Sequence, residues 1–338
     1  DFARDLDLLL SVKGGGHNAA GKAVCGDGLM IDLGEMNGVR VDPQTQTARV
    51  GAGATWGDFD HEAQTFGLAT TGGIVSTTGV AGLTLGGGFG YLHRKYGLAS
   101  DNLRSIDVVT ANGEFVRVSE DENPELFWGM RGGGGNFGIA TSFEFDLHEV
   151  GPEVLAGRLV YPYEAAPEVL RFNREFMTDA PNGVMCFPAF VQGHPSMGLP
   201  EPLHGETLFV LATMYAGDIS EGRDVLRPLR ELAEPIADTI QPTPYTEHQQ
   251  SADELYKKGH RNYWKSHFYH GVSDEFIKTV MDHVDPLPSP FTTVFGEWMG
   301  GETAEAERDT TAFPHRDKTL SCSIWPKWTD QERDDELI

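Results

Sequence analysis

The stretch Val12-Lys13-Gly14-Gly15-Gly16-His17-Asn18-Ala19-Ala20-Gly21 constrains this chain more than any other. An apolar run from Leu8 to Val12 ends in three glycines, followed at once by a histidine and an asparagine. Gly14, Gly15 and Gly16 let backbone N–H groups approach a bound anion closely. His17 and Asn18 then face whatever the loop cradles. The same residues also read as a tight turn carrying a surface histidine. Two literal motif matches fail on context. Residues 16–22 fit the first seven positions of a P-loop, but Ala23 stands where a Mg²⁺-binding Ser/Thr belongs, and Gly26-Asp27-Gly28 is turn chemistry where a helix should open. Residues 133–138 fit G-x-G-x-x-G, but the alternating Ile139-Ala140-Thr141-Ser142-Phe143-Glu144-Phe145 that follows is strand, so the dinucleotide fingerprint lacks its helix.

The chain carries 51 acidic residues against 26 basic ones, a net charge of −25. Residues 1–150 hold 20 acids and 10 bases, so the acidity is spread along the chain. Such a charge argues against nucleic acid and against an anionic membrane as partners. Only nine of the bases are lysine, which points to a salt-adapted surface. Cys25, Cys186 and Cys322 are odd in number and far apart, giving neither a disulfide framework nor metal-ligand spacing; buried free thiols are expected and no metal. No apolar run approaches a membrane span and no signal peptide is seen, so a cytoplasmic location is expected. The oligomeric state is left open. The chain starts at Asp1 close to a strand and stops in an acidic run, so truncation at both ends is expected.

With 338 residues there is room for two domains, expected over 1–150 and 151–338. In the first, Leu29–Leu33 reads as a buried strand, and 39–41 with 47–54 as a hairpin. Thr55 should cap a helix over 56–66. The run from Gly72 to Gly90 is small, apolar and hydroxyl-bearing, suited to backbone wrapped against a large flat ligand with a phosphate tail; a purely structural glycine loop is the other reading. Residues 106–110 and 114–119 form a hairpin across Ala111-Asn112-Gly113. Asn123-Pro124 starts a short helix by capping, and 138–148 is a strand. After Gly151-Pro152, strands are expected at 154–161, 184–192, 207–215, 291–299 and 320–328, and helices at 165–178, 220–233 and 274–283. This gives an α+β fold with a mainly antiparallel sheet. The aromatic and basic segment 260–270 reads equally as a pocket lining or as a helix face.

Taken together, these motifs resemble the p-cresol methylhydroxylase (PCMH) and vanillyl-alcohol oxidase superfamily of flavoproteins, in its berberine-bridge-enzyme-like branch. The resemblance rests on residues 13–18, Ile31-Asp32-Leu33, 50–57, 79–90, Tyr96-Gly97-Leu98, Asp101-Asn102, and 126–128 with 131–138, in order across 12–148. The second half matches best at Thr311-Ala312-Phe313-Pro314-His315-Arg316. The resemblance implies a PCMH-type FAD-binding domain, an α+β substrate domain roofing the flavin ring, and an FAD-linked oxidase acting on a small molecule with O₂. It places the cofactor among Gly14, Gly15, Gly16, His17, Asn18, Ser76, Thr77, Gly79, Val80, Gly82, Leu83, Asp101, Asn102, Gly138 and Ile139. It also implies one covalent link from His17 to the flavin 8α-methyl, since a neutral imidazole nitrogen is a nucleophile at neutral pH.

Four departures narrow this expectation. Doubly linked members carry a cysteine where this chain has Val75, and often a histidine where it has Leu83. Ser323 aligns with the glutamate base of the plant alkaloid-forming members, and the family's C-terminal segment that completes the flavin pocket is not present. The catalytic acid–base therefore stays unassigned. Single histidyl attachment favours an amine over an alcohol or sugar. The alternatives are a dehydrogenase that reacts poorly with O₂ and a flavin-binding protein without turnover.

Overall fold

Thr55 shows how local chemistry becomes structure. Its hydroxyl accepts from the Asp58 N–H while the Asp58 carboxylate accepts from the Thr55 N–H, a reciprocal cap that starts helix α1, Trp56–Gln64. The helix sits within the first of two units into which the chain divides. The computed structural model describes residues 1–338, the side chain of Ser196 excepted.

The first unit comprises 1–152 with two later pieces, 245–253 and 302–316. Strands β1 (Leu10–Lys13) and β2 (Leu29–Asp32) pair parallel as a two-stranded ribbon. β3 (Val39–Asp42), β4 (Thr47–Gly51), β5 (Leu103–Val109), β6 (Phe115–Ser119) and β7 (Ile139–Asp146) form an antiparallel sheet in the order β3-β4-β7-β5-β6. Its core gathers Trp56, Phe59 and Phe145, with ring centroids 5.3–6.0 Å apart, onto Val50, Ile106 and Phe143. Short helices α2 (Val80–Leu85) and α3 (Pro124–Met130) complete the first stretch.

The expected antiparallel hairpins are present, including the turn at 111–113, where Gly113 takes a φ of 79°. Two local expectations are corrected. β2 is half-exposed with alternating burial, because it pairs only with β1 and has no second layer on one side. Asn123 does not cap α3 with its side chain: its φ is 52°, and its amide donates to Arg117 O instead.

The second unit holds 153–244, 254–301 and 317–338. β8 (Glu153–Pro162), β9 (Val184–Gln192), β10 (Thr207–Tyr215), β11 (Lys265–Tyr269), β12 (Thr293–Trp298) and β13 (Leu320–Trp325) form an antiparallel sheet in the order β8-β10-β9-β12-β13-β11. Alternate residues such as Leu155, Cys186, Phe209, Trp298 and Leu320 pack against helices α4 (Ala166–Asp179), α5 (Ile219–Glu231) and α7 (Asp274–Val284). The segment 260–270 is not a helix face. It forms the short strand Arg261–Asn262 and then β11, because Trp328 and Ser323 offer it strand partners. Cys186 is buried, whereas Cys25 and Cys322 are only partly so; all three are free thiols. No helix among the described residues is long and apolar enough to cross a membrane.

Candidate functional site

The two glycine loops cross backbone to backbone. A Cβ on Gly15 would lie 2.3 Å from Gly79 N, and one on Gly79 would lie 2.4 Å from Gly15 N, so neither position admits a side chain. Gly14 is similarly pressed on Ala52 O. The outer side is open: a Cβ on Gly82 would meet nothing within 4 Å. The crossing is thus closed backbone on backbone, with open space beside Gly82 in the first turns of α2.

His17 stands beside this crossing, half-buried. Its Nε2 lies 3.0 Å from the Thr77 hydroxyl and its Nδ1 3.3 Å from the Thr78 hydroxyl. A neutral imidazole needs one acceptor and one donor, and a hydroxyl can serve as either. The carbonyls of Ser76 and Thr78 accept from the N–H groups of Gly57 and Trp56, which ties the loop to the first turn of α1. The Ser76 N–H and hydroxyl both donate to the Asp253 carboxylate, the N–H at 2.8 Å.

The remaining expected residues fall in three places. Val80 N–H donates to Ala54 O, and the Leu83 side chain lies over Gly73 and Gly88, where added Cβ atoms would strike it. Asp101 accepts from the Leu98 N–H and from both terminal nitrogens of Arg316; Asn102 donates to Tyr96 O and Leu98 O and bonds His148. Gly138 and Ile139 open β7 against Val108 and Val109. Asn18 turns away from His17: its side-chain oxygen accepts from Lys22 N–H. The structure thus brings Gly14–His17 together with Ser76–Gly79, while the polar groups of Asp101 and Asn102 bond within the protein.

Sequence reasoning missed Thr78, Asp253, Asp60 and Glu297. Thr78 could have been found, since it is one of three hydroxyls in the 76–78 run. Asp60 is buried on α1 and hydrogen-bonded by Gln249, and burial pushes its carboxyl up to about 7. Its folded value is raised, so the folded protein holds that proton more tightly than the unfolded chain does. Stability contributed by Asp60 is therefore present at low pH and lost as pH rises from about 4 to about 7. Relative to Asp60→Asn, the wild type should lose up to about 4 kcal/mol across that window and then level off. Urea unfolding curves at pH 4, 5.5, 7 and 8 check this; a pH-independent difference between the two proteins would contradict it.

In the second unit, the helix-free face of the sheet carries Phe187, Phe295, Glu297, Ser321 and Ser323, all buried. Glu297 lies opposite Ser321 in register, and burial raises its carboxyl to about 8. Ser323 bonds Ser266 across β13 and β11 at 2.9 Å. A carboxyl of this kind donates a hydrogen bond at neutral pH and accepts a proton once ionised. No metal-ligand cluster is found among the described residues.

A family model described as an FAD binding domain matches residues 1–119. The chain is 32% identical over 340 residues to an FAD-linked oxidoreductase of Dictyostelium discoideum, covering 98% of this chain and 71% of the relative. It is 37% identical over 246 residues to (R)-6-hydroxynicotine oxidase of Paenarthrobacter nicotinovorans, covering 73% of this chain and about half, 52%, of that enzyme. Among solved structures, 6-hydroxy-D-nicotine oxidase from Arthrobacter nicotinovorans superposes with a TM-score of 0.87 at 28% identity, over 99% of this chain and 73% of the other. A berberine bridge enzyme variant shares the fold with a TM-score of 0.85 at 20% identity, over 99% and 69%.

Proposed function

Since the chain belongs to a family of FAD-linked oxidoreductases, we propose that it is an oxidase carrying its flavin on a single covalent bond from His17. The observation that carries this reading is the crossing of the two glycine loops, with His17 held between two hydroxyls at its edge. Gly14–Gly16, Ser76, Thr77, Gly79, Val80 and Gly82 would hold FAD, with Leu83 beneath and Asp101, Asn102, Gly138 and Ile139 supporting. FAD supplies a two-electron acceptor. With FAD bound there, His17 would supply the nucleophilic nitrogen of the link and give up its N–H proton. Val75 is buried and offers no sulfur, and the three thiols lie outside the second loop, which supports a single link.

In turnover, the substrate loses a hydride from a carbon bearing nitrogen or oxygen and a proton from that heteroatom; O₂ takes up both electrons and two protons as H₂O₂. The likeness to the nicotine oxidase favours an amine. Anaerobic mixing with amines, alcohols and sugars should bleach the flavin with an amine, and the reduced flavin should reoxidise rapidly in air when followed by stopped flow. Slow reoxidation would make the protein a dehydrogenase, and no bleaching by any compound would make it a flavin-binding protein without turnover.

The charge of −25 with few lysines supports a salt-adapted surface. At about 1 M salt the screening length falls to about 3 Å, which quiets acid–acid repulsion. The melting temperature should therefore rise from low to molar KCl; an unchanged or falling value refutes salt adaptation.

A further inference from the structure

We propose that Asp253 is a positioning residue for flavin attachment, acting through Ser76 on the two threonines that face His17; this rests on the reading of His17 as the attachment point. Asp253 ends a nine-residue strap, Tyr245–Asp253, that belongs to the first unit although the chain on both sides of it belongs to the second. The strap contains helix α6, Tyr245–Gln250, whose Gln249 donates to Asp60 and to Gly73 O. From its end the Asp253 carboxylate takes both the N–H and the hydroxyl of Ser76.

The loop at 76–78 has two anchors. On its carbonyl side, Gly57 and Trp56 N–H groups hold Ser76 O and Thr78 O at 2.8 and 2.9 Å. On its N–H side, Asp253 holds Ser76 and the Thr78 N–H donates to Val75 O. Behind Ser76 lies a cavity of about 100 Å³ rather than packed side chains, bordered by Gly57, Asp60, His61, Thr246, Gln249 and Gln250. Without Asp253, Ser76 can shift into that space, and Thr77 and Thr78 shift with it. The two hydroxyls now sit 3.0 and 3.3 Å from the imidazole nitrogens, so a displacement of about 1 Å breaks one or both contacts. His17 then loses two contacts that hold its ring in place. Attachment exchanges the imidazole N–H and one 8α C–H for the N–C bond, with O₂ accepting the two electrons and two protons. It is sensitive to such misplacement, whereas non-covalent binding over the glycine crossing is less so.

The test uses full-length apoprotein made under riboflavin limitation and then given FAD in air. Covalent incorporation is followed by intact mass and by fluorescence on denaturing gels. Asp253→Ala should incorporate flavin about tenfold or more slowly than wild type. Asp253→Asn should stay within about threefold of wild type, since its side-chain oxygen still accepts from the Ser76 N–H and its amide donates to the hydroxyl. Asp253→Glu, which keeps the charge but moves the carboxylate by one methylene, should be slow. This separates position from charge even if the alanine variant does not fold. Wild-type rates in Asp253→Ala, or equal rates in the Asn and Glu variants, would overturn the proposal. If wild-type protein forms no covalent flavin at all, the reading of His17 fails separately. The positioning role, which rests on that reading, is then overturned with it, whereas covalent flavin in the wild type with wild-type rates in Asp253→Ala overturns the positioning role alone.

Discussion

Denatured His17→Ala protein should give up its flavin, while denatured wild type should keep it. In the wild type, flavin fluorescence should travel with the polypeptide on an acid-treated denaturing gel. Tandem mass spectrometry should place one FAD-derived adduct on the peptide holding His17. The physical basis is local: His17 is the imidazole at the glycine crossing, poised between the Thr77 and Thr78 hydroxyls. The variant keeps the backbone crossing of Gly15 and Gly79, so it should still bind FAD in the folded state. Its flavin should be reduced more slowly, because an alkylated imidazole withdraws electron density and raises the flavin potential. Free FAD above denatured wild type, or an adduct on Cys25, Cys186 or Cys322, would refute the assignment.

Arg316→Met should cost about 3–5 kcal/mol, the usual penalty for removing one partner of a buried ion pair. The Arg316 side chain is 2% exposed and that of Asp101 15%. Its two terminal nitrogens reach Asp101 at 2.5 and 2.9 Å, Thr311 Oγ1 at 2.7 Å and Thr303 O at 3.2 Å. Methionine fills the volume but leaves the carboxylate with the Leu98 N–H alone. Urea unfolding of the wild type, Arg316→Met, Asp101→Asn and the double variant completes a thermodynamic cycle. The double variant should be less damaged than the sum of the singles. A loss below about 1 kcal/mol for Arg316→Met would show the pair to be no stronger than an exposed one.

What could be read from the sequence was what is settled within a few residues. The glycine triplet with its histidine, the Thr55 cap and the turn at Gly113 are local, and the structure has them. In the second half the strands at 154–161, 184–192, 207–215, 291–299 and 320–328 and the helices at 165–178, 220–233 and 274–283 match within a few residues, whereas β11 and α6 went unread because their packing partners are distant in sequence. Asp253 and Arg316 could not be read, because their partners Ser76 and Asp101 lie 177 and 215 residues away. Asp101 and Asn102 stood out in the sequence as candidates to meet the cofactor; in the structure their polar atoms hold the corner at Tyr96–Leu98. Glu297 sits in an alternating strand, where a carboxylate reads as an outward residue; only the sheet shows that this face is buried.

The discontinuous make-up of the first unit has a consequence for how the protein is born. A ribosome that has released residues 1–152 has released most of a unit but not its closing pieces, since 245–253 and 302–316 have yet to be made. Asp101 waits for Arg316, and Ser76 waits for Asp253. Contacts of such sequence separation form slowly and late. The flavin-holding unit therefore completes only after most of the second unit has been synthesised. Any nascent chain stalled before residue 316 carries an acidic, glycine-rich, half-closed cradle that chaperones must keep from aggregating. In this chain residues 1–152 are made well before the two short pieces that complete their unit.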